Sequence, residues 1–454
     1  MKGAASPSVG EDLPAAGGFS PQPAELAMPA ADDETYYVVP LSIQPDGEDY
    51  IVGNAELDDY YQIPAQGRAI LAMLQQGDTP GTIKARLRAD AAAAAGGSLA
   101  EGETGDPVDV DEFVAMLREI GFLYPIADAA LHRVRVESGP ADRRILFRMD
   151  ARIARAIFSP LTLLCYLGIV GYAVVLAVSD PGLRLNPHAF FIERNLAPTL
   201  VLLLLLSSVA VMLHELGHMT AAARHGISSR LGIGNRLWNI VAEADLSGVL
   251  ALPKRQRYLP LMAGMMVDLL VIALLTLAIS ALVRTGTLGG RTGFAVPLLQ
   301  ALILQIVVTI TWQFNFFLKT DIYYVLSNYW SYPDLDADAR LYLRDRLHRL
   351  SNGRLGARAE SPNYKDVRIL NFFTVFWVVG RLLAVGTLVL VFIPTIYLYV
   401  ARTYRAYRDP SASSGTVYDL GIFTLLSLTI LVVGLYMWLR GRGSARRTLR
   451  KDSR

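Results

Sequence analysis

The chain has 454 residues, 52% of them hydrophobic, and a formal net charge of only +2. It is too apolar for an ordinary soluble domain and too long to be a single one. Its one cysteine, Cys165, excludes a disulfide framework or a cysteine zinc site within one chain.

Residues 1–33 are rich in Ala, Pro and Gly, carry few large side chains, and read as disordered. They hold no apolar core of the kind a cleavable signal peptide needs. Residues 34–125 read as a small folded domain. Tyr36–Ile43 and Tyr50–Val52 are rich in Tyr, Val and Ile around Pro45-Asp46-Gly47, a hairpin signal. Ala65–Gln76 has helical apolar spacing and runs into Gly77-Asp78; Thr79–Arg88 offers Ile83 and Leu87 at i and i+4. Val110–Ile120 places Phe113, Val114, Leu117 and Ile120 on one face, and Gly121 supplies a stop. The Ala/Gly/acidic stretch Ala89–Pro107 between them reads as a mobile insert.

Strands followed by three helices predict a winged-helix-like α+β module. From Glu34 to Pro125 there are sixteen acidic residues against five basic ones, a surface that repels phosphate and excludes nucleic acid as its partner. Ile70, Leu74, Gly77-Asp78 and Ile83, followed by Val110-Asp111, Phe113, Leu117 and Gly121-Phe122-Leu123, carry a resemblance to another family. The module resembles the small peptide chaperone of pyrroloquinoline-quinone biosynthesis, the leader-peptide recognition element of peptide-modifying systems. The resemblance implies that a leader peptide pairs with a strand edge, and that a peptide-modifying enzyme or an exporter is a partner.

Residues 126–158 form a charged connector ending in Arg143, Arg144, Arg148, Arg152 and Arg155, an anchor at the headgroups. Residues 159–440 carry six stretches long and apolar enough to cross a bilayer core of about 30 Å. They are Pro160–Val178, Pro198–Ala223, Leu259–Val283, Phe294–Leu318, Phe372–Val400 and Val417–Leu439. With the N-terminus inside, the inner segments hold 5, 6, 9 and 7 Lys/Arg and the outer loops 2, 2 and 3. The expectation is therefore a multi-pass cell-membrane protein with both termini cytoplasmic and a basic tail at 441–454.

The second stretch holds the chemistry. Fourteen residues from Leu200 carry no charge; then His214, Glu215 and His218 arrive within five positions. A helix turns about 100° per residue, so His214 and His218 share one face and can offer two nitrogens to one metal ion. Glu215 beside them suits a general base acting on water, the HExxH arrangement of zinc hydrolases. Gly217 leaves the metal's approach uncrowded. The bland alternative makes the two histidines hydrogen-bonding glue between helices.

A catalytic zinc needs a third protein ligand. Asp321, the one acid near the end of the fourth stretch, is the candidate; the alternative pairs it with Lys319 at the membrane boundary. Glu243 and Asp245, in the loop after the second stretch, read as solvated charges, the alternative being that they line the cytoplasmic entry or help hold substrate. Asp268 and Arg381 lie at equal depth in their spans and are expected to form an interhelical ion pair, with Asp268 as a metal ligand the competing idea. Asp334–Leu350 reads as an amphipathic helix on the membrane surface or against the N-terminal domain.

His214-Glu215-Leu216-Gly217-His218 in a membrane helix, with Asn315 and Asp321 two spans later, resembles the site-2 protease family of intramembrane zinc metalloproteases. The likeness covers about Pro198–Asn328, and Tyr323-Tyr324 agrees with its peptide zinc metalloprotease subgroup. It implies zinc on His214, His218 and Asp321, Glu215 as base, and Asn315 orienting substrate. The family's Pro after that Asn and Gly after that Asp are Phe316 and Ile322 in this chain. The expected function is hydrolysis of a peptide bond in a membrane-associated or leader-bearing peptide, with water reaching the site past Gln305, Gln313 and Asn315. The rival readings are a peptide export accessory or transporter using the His/Glu/Asp cluster for protons or metal, and a receptor that presents peptides uncut.

Overall fold

A computed structural model describes residues 32–54, 59–94, 109–128, 145–184, 189, 196–236, 239–315, 319–332, 335–351, 366–387, 389, 393–409 and 413–451. The expected disordered start and most of the insert before Val110 lie outside these residues. The chain divides into two compact units, one of residues 1–41 and 63–139, the other of residues 42–62 and 140–454.

In the first unit β1 (Tyr36–Val38) pairs antiparallel with β5 (Leu123–Pro125), Tyr36 opposite Pro125. Three helices lie between them: α1 (Ala65–Gln76), α2 (Pro80–Ala94) and α3 (Val110–Glu119). Ile70, Leu71 and Leu74 of α1 and Phe113, Val114 and Leu117 of α3 are buried, as their spacing requires. Gly77 ends α1 at φ 93°, a left-handed conformation open to glycine, and the amides of Gly77 and Asp78 close back on Leu74 and Met73. Asp109 caps α3 by accepting from the amides of Asp111 and Glu112, a contact worth about 1 kcal/mol. Lys84 joins Asp32 and Asp111, each at 2.7 Å.

The hairpin signal at Pro45-Asp46-Gly47 forms β2 (Ser42–Asp46) and β3 (Asp49–Asn54), with Gly47 at φ 72° in the turn. This hairpin, extended by β4 (Asp59–Ile63), falls in the second unit rather than with the helices that follow it.

The second unit is a polytopic helical membrane protein. Among the described residues five helical segments are long and apolar enough to span: Ala151–Ser179, Leu196–Ala223, Lys254–Thr285, Ala295–Trp312 and Ser414–Gly434. The first contains α4 (Ala151–Ile157) and α5 (Pro160–Ser179), where Ser159 accepts from the Thr162 amide and Pro160 fills the first helical position. α6 (Leu196–Ala223) packs on α7 (Lys254–Thr285) through small residues. A Cβ on Gly217 would stand 2.8 Å from Val267 Cγ2 and 3.0 Å from the Ala263 carbonyl oxygen. Gly217 therefore serves helix approach, rather than the access to metal expected of it. α8 (Ala295–Trp312) follows and ends well before Leu318. The expected span Phe372–Val400 falls on α11 (Val367–Thr387) and α12 (Ile393–Arg408), with residues outside the described set between them. α13 (Ser414–Lys451) closes the chain.

Two segments read from sequence as connector and loop contain strands. β6 (Ile145–Phe147) pairs with β7 (Ser229–Arg236), and β7 with β8 (Asn239–Asp245), leaving β8 at an edge of the three-stranded sheet. The expected amphipathic helix is α10 (Leu335–Leu350), next after α9 (Asp321–Trp330). Its apolar face is buried: Leu335 and Ala339 pack with Tyr323 of α9 and with Leu370 and Phe373 of α11. Asp336 is buried there too, bonded to Arg340 and to Trp377 Nε1.

Candidate metal centre

His214 and His218 lie one turn apart near the end of α6, 7% and 2% exposed, where the helix changes from long aliphatic side chains to Ala and Gly. Asp321 is the first residue of α9. Three atoms converge: His214 Nε2 and His218 Nε2 are 3.1 Å apart, and Asp321 Oδ2 lies 3.0 Å from the first and 3.2 Å from the second. The group could hold a metal ion.

The tautomers show why it suits a cation. His214 Nδ1 lies 2.8 Å from Asp268 Oδ2, and His218 Nδ1 2.7 Å from the Pro260 carbonyl oxygen. Both partners are acceptors, so each Nδ1 carries a proton and, in the neutral ring, each Nε2 turns a lone pair toward the other and toward a carboxylate. Three lone pairs so placed repel unless a cation lies between them. Tetrahedral zinc, with bonds of about 2.05 Å, sets its ligand atoms about 3.3 Å apart, close to this triangle.

Asp268 belongs behind His214 and does not form the ion pair expected of it. It bonds the nitrogen facing away from the triangle, the place of a carboxylate that orients a ligating histidine. Arg381 instead stacks over Trp377, 4.4 Å from the ring centroid. Equal depth in two helices left open which way around each helix the side chains point. Lys319 likewise approaches Asp336, at 3.9 Å, rather than Asp321.

Glu215 accepts a hydrogen bond from the Ala244 amide of β8 at 2.8 Å, and its other oxygen has no protein partner among the described residues. It lines a cavity of about 440 Å³ together with His218, Asp321, Glu243, Asp245 and Arg257. Glu243 and Asp245, read from sequence as solvated charges, are thus part of the cavity wall. Asn315 is not: its side-chain amide donates to the Trp312 carbonyl at the end of α8. The neighbouring Gln313 holds the ligand instead, accepting from the Asp321 amide with Oε1 and from Thr320 Oγ1 with its backbone carbonyl.

Sequence reasoning missed Gly264 altogether. A Cβ there would stand 2.3 Å from His218 Nε2 and 2.5 Å from His214 Nε2, so α7 must present bare backbone to the site. Its signal was a glycine four residues before the buried Asp268, on the same helix face.

No protein-family model, curated protein or solved structure matches the chain.

Proposed function

We propose that this chain is a membrane-embedded zinc metalloendopeptidase resembling the site-2 protease family. The observation that carries the reading is the convergence of three lone-pair atoms beside a carboxylate free at one oxygen, in a cavity large enough for a stretch of peptide. His214, His218 and Asp321 would hold the zinc ion, which when bound polarises a scissile carbonyl. Glu215, tethered by Ala244 through one oxygen, takes a proton from water with the other and returns it to the leaving amine. Asp268 and the Pro260 carbonyl fix the imidazole tautomers. β8, at an edge of its three-stranded sheet, lies beside Glu215, and an extended peptide can add to it as a strand.

A proton-relay transporter is less well supported, because the three groups point at one another rather than forming a path. The substrate in this reading is a peptide with a leader or a membrane-associated segment, held by the acidic N-terminal module. In this reading both termini face the cytoplasm, a topology that the Lys/Arg excess of alternate loops supports.

The test is Glu215→Gln in the purified full-length protein. Zinc content should stay at the wild-type level while hydrolysis falls at least about 100-fold, because the ligands remain and proton transfer fails. Wild-type turnover in that variant would refute the mechanism.

A further inference from the structure

The first turn of α7 carries two cations, Lys254 and Arg257, at the end where the helix dipole is positive. Arg257 is 1% exposed. Its Nε donates to the Leu252 carbonyl at 2.8 Å, and its Nη1 lies 3.4 Å from both Asp46 Oδ1 and Asn328 Oδ1. Its Nη2 is buried with no hydrogen-bond partner among the described residues. Asp46, 3% exposed at the turn end of β2, is thus the carboxylate that offsets the buried charge. The same oxygen accepts from Ser331 Oγ at 3.2 Å. Ser331 caps α9 at φ 51°, a left-handed conformation strained for a residue with a Cβ, and its hydroxyl also accepts from Lys254 Nζ at 2.6 Å. Asn328, in the last turn of α9, donates to the Lys254 carbonyl at 3.2 Å. One network therefore joins the start of α7, the end of α9 and the β2–β3 turn.

We infer that Asp46 is a positioning residue of the metal centre, fixing the angle between α7 and α9 through Arg257 and Ser331. The inference rests on the metallopeptidase reading above and adds a supporting element to its metal site. Both helices carry the site a short way from the network. In α7, Pro260 follows Arg257 by three residues, and its carbonyl holds His218 Nδ1; Gly264 and Asp268 lie farther along. In α9, Asn328 stands seven residues from Asp321, about 10 Å along the helix. A tilt of about 5° at the network would move Asp321 by about 1 Å over that lever, beyond the tolerance of about 0.5 Å in a preorganised site. Charge makes Asp46 the decisive member. Without its carboxylate Arg257 is a buried cation facing only neutral acceptors, and the helix ends must shift to bring it water. Residues 42–62 pack with the second unit, yet the chain on both sides of them, residues 1–41 and 63–139, forms the first. The metal centre is thus braced by a segment strung at both ends from the N-terminal module, and whatever displaces the hairpin loosens zinc.

The experiment measures the zinc affinity of purified full-length protein by chelator competition, together with thermal unfolding of the metal-free and zinc-loaded forms. Asp46→Asn should weaken zinc about 10-fold, the size of coupling that packed helices transmit. Asp46→Asn combined with Arg257→Gln removes both charges and should recover most of that loss, because no buried cation is left to relieve. Ile279→Ala, in the apolar cluster that α7 forms with Leu183, Val296 and Ile303, is the control for stability alone. It should lower the unfolding temperature and leave zinc affinity at the wild-type value. Unchanged affinity in Asp46→Asn overturns the inference. So does an equal loss in Ile279→Ala, which would make the effect one of general stability. If Asp46→Asn does not fold, Arg257→Gln alone is set against the double variant. The single change leaves Asp46 buried and unpaired and should bind zinc more weakly; equal affinity in the two overturns the inference. Affinity is measured without turnover. A wild-type protein that binds zinc but shows no hydrolysis would therefore overturn the peptidase reading and leave this test standing.

Discussion

From Leu200 to Leu213, α6 turns long aliphatic side chains outward, with Leu205 60% and Val209 58% exposed and Ala210 the one buried residue. From His214 to Ala223 the same helix is core: His214, Gly217, His218, Met219, Thr220 and Ala221 through Ala223 are all buried. The first half is solvated by lipid and needs only to be greasy. The second half must fit other protein, so it uses small residues, and the outer nitrogens of its two histidines are held by Asp268 and Pro260. A hydropathy plot ranks the first half higher, although the chemistry lies in the second.

The sharpest way to break this contrast is to remove a ligand. His218→Ala should abolish zinc binding measured by elemental analysis of the purified protein, since two ligands do not hold the ion against competition from water. Full occupancy in that variant would show that the triangle is not the site. Next in size is Gly264→Ala, which would drive a methyl group to within 2.5 Å of both Nε2 atoms. One carbon is expected to displace the imidazoles and cost most of the bound zinc, an outcome read from zinc content together with thermal unfolding. If Gly264→Ala binds zinc normally, α7 is not held against the site as closely as this packing requires.

Much of this was legible before the fold. Helices α1 and α3 follow from apolar spacing, and His214, His218 and Asp321 from residue type and depth. What escaped is what spacing does not encode. Direction around a helix decided that Asp268 meets His214 rather than Arg381. A break in α8 at Trp312, averaged away across the apolar residues that follow, decided that Gln313 rather than Asn315 reaches Asp321. The β7–β8 hairpin carries glycines and charges that read as loop, and only pairing in space reveals that the Ala244 amide tethers Glu215.

Asp268→Asn sharpens the contrast from behind the ligand. The amide is nearly the same shape but lacks the charge that holds His214 Nδ1–H, so zinc affinity should fall about 10- to 100-fold. Competition with a chelator of known affinity measures this directly. An unchanged affinity would mean that Asp268 fills space without tuning the imidazole.

The smallest effect belongs to the lipid-facing half. Leu205→Ala removes three carbons from a side chain that is 60% exposed. In a buried core the same change costs about 2–5 kcal/mol, because a cavity is left behind. At a lipid-facing site acyl chains fill the space, and the cost should stay within about 0.5 kcal/mol, as at other surfaces. Zinc affinity should not move. Both are measurable on one preparation, by unfolding in mixed micelles and by chelator competition. A loss of 2 kcal/mol or more, by that same cavity standard, would show that α6 is buried along its whole length by a partner, and that the two halves differ in composition but not in surroundings.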